Sequence, residues 1–143
     1  NNCLDLYCGT GTIGIYISDL VNNVIGIDYN ESNINDAIKN KDLNNITNIE
    51  FICDKVENKI DSFKDIDLII VDPPRSGLDN KTKKYIKEKN PEKIIYVSCD
   101  PATLSRDLKD LNDNYNIKEV TPVNMFPRTY HVENVCLLER KID

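Results

Sequence analysis

A chain of 143 residues with 40% hydrophobic content is long enough to bury one core and reads as one domain. No hydrophobic run approaches membrane-spanning length and no signal-peptide pattern opens the chain, so the composition predicts a soluble, cytosolic protein. The net charge of −6 excludes a surface that grips a polyanion by bulk electrostatics; a nucleic-acid substrate would have to be held largely by other means.

The first strand is Asn2 to Tyr7, and Cys8-Gly9-Thr10-Gly11-Thr12-Ile13-Gly14 turns from it into a helix carrying Ile15, Ile17 and Leu20. Val24 to Asp28 is a second strand ending on an acid; Asn30 caps the next helix, whose Ile34, Ala37 and Ile38 face inward. Ile49 to Asp54 and Ile66 to Asp72 repeat the pattern, the latter leading into the loop Pro73-Pro74-Arg75-Ser76-Gly77. Lys81 to Lys89 is a lysine-rich helix, read as a solvated face, with an RNA-facing patch as the competing reading. Lys93 to Val97 is short, β-branched and apolar on both faces, as a strand inside a parallel sheet requires, and it runs out onto Cys99. Asp100 is then an N-cap and Pro101 the first helical residue, with Leu104, Leu108 and Leu111 as the apolar stripe. Asn116 to Asn124 and Val132 to Lys141 are strands with no helix between them, hence a terminal antiparallel pair.

Strands alternating with helices predict an α/β fold: a Rossmann-like, doubly wound, mostly parallel sheet with right-handed crossovers and that antiparallel pair at its end. The polar strand ends gather along one rim, where open α/β sheets bind their ligands. The five cysteines lack the paired spacing of a zinc site and the density of a disulfide scaffold, and no metal is expected. Cys3, Cys8, Cys53 and Cys136 fall in apolar runs and read as core residues. Cys99 stands at a strand end beside a helix N-terminus, a place that favours thiolate over thiol; a small buried hydrophobe is the competing reading. The chain opens at Asn1 without a methionine and enters a strand at once, which predicts a piece of a longer protein.

Gly9, Gly11 and Gly14 satisfy G-x-G-x-x-G after a strand, and Asp28 follows where a ribose-binding acid is expected. The pattern fits a dinucleotide and S-adenosylmethionine equally, since both need backbone close to a nucleoside and an acid on its hydroxyls. Downstream residues favour the second: Asp54 ends a strand where an adenine amino group would be read, Asp72-Pro73-Pro74 stands where a methyl-acceptor base would lie, and no hydride-transfer dyad is present.

Four motifs together carry a resemblance: Asp5-Leu6-Tyr7-Cys8-Gly9-Thr10-Gly11, Asp72-Pro73-Pro74-Arg75-Ser76-Gly77, Ser98-Cys99-Asp100-Pro101-Ala102-Thr103, and Met125-Phe126-Pro127-Arg128-Thr129-Tyr130-His131-Val132-Glu133. In this order they resemble the RNA uracil-5-methyltransferase family over essentially the whole chain. The resemblance implies a class I S-adenosylmethionine-dependent methyltransferase fold, residues 1–143 forming the catalytic domain, and a ribosomal or transfer RNA substrate. It implies that Tyr7, Gly9, Gly11, Thr12, Asp28, Asp54 and Asp72 belong to the cofactor site, that Cys99 is the nucleophile and that Glu133 is the base. Asp72, Arg75, Arg128 and His131 are implied on the substrate side; for the two arginines a surface ion pair competes, and for His131 a plain structural role. The family often carries Asn at Asp100, Asp at Asn124 and His at Arg128. Its RNA-binding region and its cofactor-contacting glutamine would lie before Asn1. Two other readings remain in competition: a class I methyltransferase acting on an amine or a small molecule, and a nucleotide-binding oxidoreductase or non-catalytic cofactor-binding module.

Overall fold

Side chains along a strand alternate between faces, and the central strands of this chain are apolar on both. In β4 (Leu68–Val71), Ile69 and Val71 join one buried cluster while Ile70 joins a second, with Leu68 packed against it. The computed structural model describes residues 1–124 and 132–142. Its strands are β1 (Asn2–Leu6), β2 (Asn23–Asp28), β3 (Ile49–Cys53), β4, β5 (Lys93–Ser98), β6 (Tyr115–Val123) and β7 (Glu133–Arg140). Its helices are α1 (Thr12–Ile17), α2 (Glu31–Leu43), α3 (Val56–Lys59), α4 (Asn80–Lys89) and α5 (Pro101–Leu111).

The strands form one sheet in the order β3-β2-β1-β4-β5-β7-β6, as a doubly wound fold demands. Pairs among β1 to β5 are parallel, while β7 is antiparallel to both β5 and β6. The last strand is therefore threaded between β5 and β6, and it alone runs against the others. One face packs Leu4, Leu6, Ile69, Ile94 and Tyr96 against Val56, Tyr85, Ile86, Leu104 and Leu111 of α3, α4 and α5. The other packs Cys3, Val24, Ile49 and Ile70 against Ile13, Ile15 and Ile17 near α1. Truncating a fully enclosed residue such as Ile69 or Ile94 to Ala typically costs about 2–5 kcal/mol.

The caps follow the local rules. Asn30 accepts from the Asn33 N–H, Asp79 from the Thr82 N–H, and Asp100 from the N–H groups of Ala102 and Thr103, with Pro101 opening α5. Among the described residues no helix is long and apolar enough to cross a membrane.

Several expectations need correction. Leu20 is 73% exposed because α1 ends at Ile17 and the chain continues as a 3-10 turn over Ser18–Leu20, which takes Leu20 off the stripe. Ile38 is 41% exposed; α2 buries only Ile34 and Ala37. Of the four cysteines read as core, Cys3 and Cys136 are buried, Cys8 is half-buried and Cys53 is exposed, because β3 is the edge strand and Cys53 is its last residue. In the lysine-rich helix, Lys81 pairs with Asp61, Lys83 with Asp110 and Lys84 with Glu88, a solvated face whose charge is largely answered in place.

Candidate active site

The sheet order reverses between β1 and β4, and the crevice above such a switch point is where doubly wound sheets bind ligands. Tyr7 follows β1 with φ at 60°, a left-handed conformation uncommon for an aromatic residue. Its hydroxyl donates to Asp79 Oδ2 at 3.4 Å, tying the glycine turn to the N-cap of α4, and burial pushes its pKa up. Gly11 has φ at +79° and packs so tightly that a Cβ there would lie 2.6 Å from the Phe51 ring. No side chain fits, so the close approach of turn to β3 depends on glycine.

Asp28, at the end of β2 and 9% exposed, joins two loops. Its Oδ2 accepts from the Gly9 N–H and its Oδ1 from the Asn30 N–H, both at 2.9 Å. Behind it Asp5 is buried and accepts from the Gly14 N–H at 3.1 Å. Burial, with Asp72 and Asp28 as like-charged neighbours, pushes the Asp5 carboxyl up to about 7.

A cavity of about 480 Å³ opens here, lined by Tyr7, Asp28, Asp72 and Pro74 among others. One wall combines apolar Val56 with Lys55 and Glu57 at the start of α3, and Tyr29 stands beside Asp28. The sequence reading missed α3 and those wall residues, because four residues are too few for a helical period to register. Asp79 carried a readable signal: an Asp directly before a helix is an N-cap.

The other side of the rim comes from β4, β5 and β7. Asp72 follows β4 and remains exposed as a residue, but its carboxyl is partly enclosed. That loss of hydration first, and the nearby charge of Glu133 second, push it up to about 6. Cys99 is exposed and directly follows β5, next to the N-cap Asp100. β5 and β7 pair up to Ser98 opposite Asn134, and Cys99 and Glu133 each directly adjoin that last pair.

Tyr7, Asp28 and Asp72 line one cavity, Gly9 is bonded to Asp28, Glu133 stands near enough to Asp72 to raise its pKa, and Cys99 follows the neighbouring strand β5. Thr12, the first residue of α1, is exposed, its hydroxyl 3.3 Å from that of Thr10. Asp54 is turned to α3: its Oδ1 accepts from the Lys55 N–H and from Asn58 Nδ2, Lys59 stands 3.8 Å away, and these bonds hold its carboxyl below the usual range. Arg75 is exposed on its loop. Arg128 and His131 lie outside the described residues. Among the described residues no cluster of three or more metal-ligating side chains occurs.

A model of the family described as tRNA (Uracil-5-)-methyltransferase matches residues 1–141. A protein of Caldanaerobacter subterraneus, described as an uncharacterized RNA methyltransferase, is 48% identical over 138 residues, 95% of this chain and 31% of that protein. One of Staphylococcus aureus, with the same description, is 43% identical over 142 residues, 96% of this chain and 31% of that protein. Among solved structures, the Pyrococcus abyssi tRNA (uracil-54, C5)-methyltransferase in complex with S-adenosyl-L-homocysteine is similar with a TM-score of 0.87 at 43% identity, over 95% of this chain and 33% of that one. A precorrin-6y C5,15-methyltransferase of Geobacter metallireducens reaches a TM-score of 0.78 at 13% identity, a likeness of fold alone. The chain spans about a third of the length of the relatives it matches.

Proposed function

The chain belongs to the tRNA (uracil-5-)-methyltransferase family, and from that premise we propose that it is the catalytic domain of a longer cytoplasmic enzyme that methylates carbon 5 of a uridine in ribosomal or transfer RNA through a covalent cysteine adduct. The observation that carries the reading is one cavity lined by both Asp28 and Asp72, with Glu133 near Asp72 and Cys99 following β5, the strand next to β4.

The cavity residues fit S-adenosylmethionine. A volume of about 480 Å³ lies in the range of small-molecule sites. Asp28 presents a carboxylate to ribose hydroxyls, the glycine turn brings backbone close, and Val56 and Pro74 offer apolar wall to a base. When bound, the cofactor supplies a methyl group on a positively charged sulfur.

Carbon 5 of uracil is too weak a nucleophile to take that methyl unaided, which is why a thiol is needed. The Cys99 thiolate adds to carbon 6, and the electron pair of the ring double bond makes carbon 5 nucleophilic. After carbon 5 has gained the methyl, Glu133 takes the proton left there; the double bond reforms and expels the thiolate. Asp72, with a pKa near 6 and Glu133 beside it, faces the base with a carboxyl that changes protonation within mild acid. Arg75 and Arg128 hold phosphates around a base drawn out of its stack, since both faces of the ring must be reached. The acidic domain contributes little bulk attraction for RNA, so most phosphate contacts belong to the rest of the enzyme.

The test is product analysis with the full-length protein, RNA and methyl-labelled S-adenosylmethionine. Label in 5-methyluridine is the expected result. Label on an amine or a small molecule, or tighter binding of a nicotinamide dinucleotide than of S-adenosylmethionine in calorimetry, overturns the reading.

A further inference from the structure

Asp107 lies on α5, has no exposed surface and takes no part in the rim. Its Oδ2 accepts from the Leu78 N–H at 2.8 Å and from the Tyr96 hydroxyl at 2.6 Å. Its Oδ1 accepts from Arg106 Nε at 3.2 Å and Nη2 at 3.1 Å, and Lys83 Nζ stands 3.6 Å away. Arg106 Nη2 also donates to the Ser76 carbonyl at 2.6 Å. Together the two side chains hold the backbone on both sides of Gly77. There φ is +80°, and a Cβ would lie 2.5 Å from Arg106 Nη2 and 2.5 Å from Asp107 Oδ2. The Gly77 N–H in turn donates to the Pro74 carbonyl at 2.8 Å, closing the turn that presents Arg75.

A buried carboxylate is costly unless donors satisfy it, and an apolar residue of similar size often serves stability as well or better. What this carboxylate adds is direction. It accepts from one loop N–H, its neighbour donates to one loop carbonyl, and the close approach at Gly77 leaves no room there for a side chain.

We propose that Asp107 is a positioning residue for methyl transfer: through Leu78, Arg106 and Ser76 it fixes the loop carrying Asp72 and Arg75 against α5, the helix that begins directly after Cys99. The proposal rests on the reading of Cys99 and the acceptor loop given above. The link acts first on where the base sits relative to the thiol; Ser76 and Gly77 also line the cavity, so it touches that wall of the cofactor site while leaving Asp28, held to Gly9 and Asn30, alone. The Tyr96 hydroxyl, whose pKa burial and the Asp107 charge push up, stays a donor at any working pH and completes the clamp.

The experiment uses the full-length protein. Asp107→Asn keeps the shape and one acceptor oxygen while releasing Arg106 and Lys83. The expected result is a fall of about tenfold in kcat/KM for RNA, with S-adenosylhomocysteine affinity, read by calorimetry, falling by about threefold at most. Arg106→Met, at a side chain 50% exposed, should give the same split without opening the core, and Arg106→Lys should restore part of the loss. Should Asp107→Asn fail to fold, the two Arg106 variants carry the test alone. Cofactor affinity falling in step with activity makes the clamp a general stabiliser and overturns the proposal; unchanged kcat/KM for RNA overturns it too. Amide hydrogen exchange supplies a readout independent of activity: Asp107→Leu, which leaves the Leu78 N–H without its acceptor, should lose protection at Leu78 and keep it in β1 and α2. Retained protection at Leu78 overturns the proposal whatever the reaction proves to be, whereas a parent that makes no 5-methyluridine overturns the functional reading instead.

Discussion

On the β1–β2 side of the rim the acids have partners within the chain: Asp5 holds the Gly14 N–H, Asp28 holds those of Gly9 and Asn30, and Asp54 holds Lys55, Asn58 and Lys59. On the β4–β5–β7 side, among the described residues, the side chains of Asp72, Cys99 and Glu133 take no hydrogen bond, and two acids stand close enough for one to raise the pKa of the other. The first side is finished by the fold itself, in the manner of a preorganised binding site. On the second side a raised carboxyl stands near a like charge, the kind of perturbed group that clusters at functional sites. On the reading proposed above, the first side recognises an unchanging ligand and the second does the chemistry.

The hardest blow to that division comes from Cys99. Cys99→Ala should lower methyl transfer by on the order of a thousandfold or more while cofactor affinity stays at the parent value, because the sulfur acts only on the base. Residual activity above a few per cent in the full-length protein would mean direct transfer to another atom. Glu133→Gln should stop turnover at a later point. Addition and methyl transfer proceed, release does not, and methylated RNA accumulates on Cys99 as a slow-migrating species in a denaturing gel. Near-normal turnover with no such species moves the base to another residue, His131 first.

Asp28 tests the other side. Asp28→Ala should weaken S-adenosylmethionine binding by roughly ten- to a hundredfold, the usual cost of losing a charged hydrogen bond, with the glycine turn loosened as well. Asp28→Asn, which keeps an acceptor for the Gly9 N–H, should lose less. Parent-like affinity in a folded Asp28→Ala would erase the division.

The smallest effect is on stability. Asp5 and Asp72 are held up to about 7 and about 6, above the ordinary carboxylate value of 3.8. Between that value and about pH 7 the folded chain keeps protons that the unfolded chain has released. The stability this contributes is full in acid and is lost as pH rises through 6 and 7. The thermal midpoint should therefore drop between about pH 5 and pH 8, and Asp5→Asn should flatten the drop. A midpoint that instead rises over that window in the parent contradicts the raised values.

Much of this was legible because the rules involved are local. The glycine turn, the acids ending β2 and β4, and the caps at Asn30 and Asp100 each depend on a few consecutive residues. What was not legible depends on neighbours distant in sequence. Cys53 sits in as apolar a run as Cys3, and only the strand order, with β3 at the edge, exposes one and buries the other. The terminal strands were readable as an antiparallel pair, yet nothing in them states that β7 enters between β5 and β6. Asp107 is one charged residue on a helix with an obvious stripe, and its importance appears only when the loop from Ser76 to Leu78 is folded over it.

The threading of β7 also sets a calendar for synthesis. Every strand of the parallel half finds its neighbour among residues made before it or soon after, but β6 has no partner until the final strand exists. A ribosome releases the glycine turn, Asp28 and Asp72 before Cys99, and Cys99 before Glu133. On the reading proposed above, a chain stopped short of β7 carries Asp28 and Asp72, a nucleophile without its base, and a bare flank on β5 of the kind that seeks other strands. Such a product could begin an adduct on RNA and never release it. On the reading proposed above, the pairing of β7 with both neighbours joins β6 to the sheet and delivers the base in the same event.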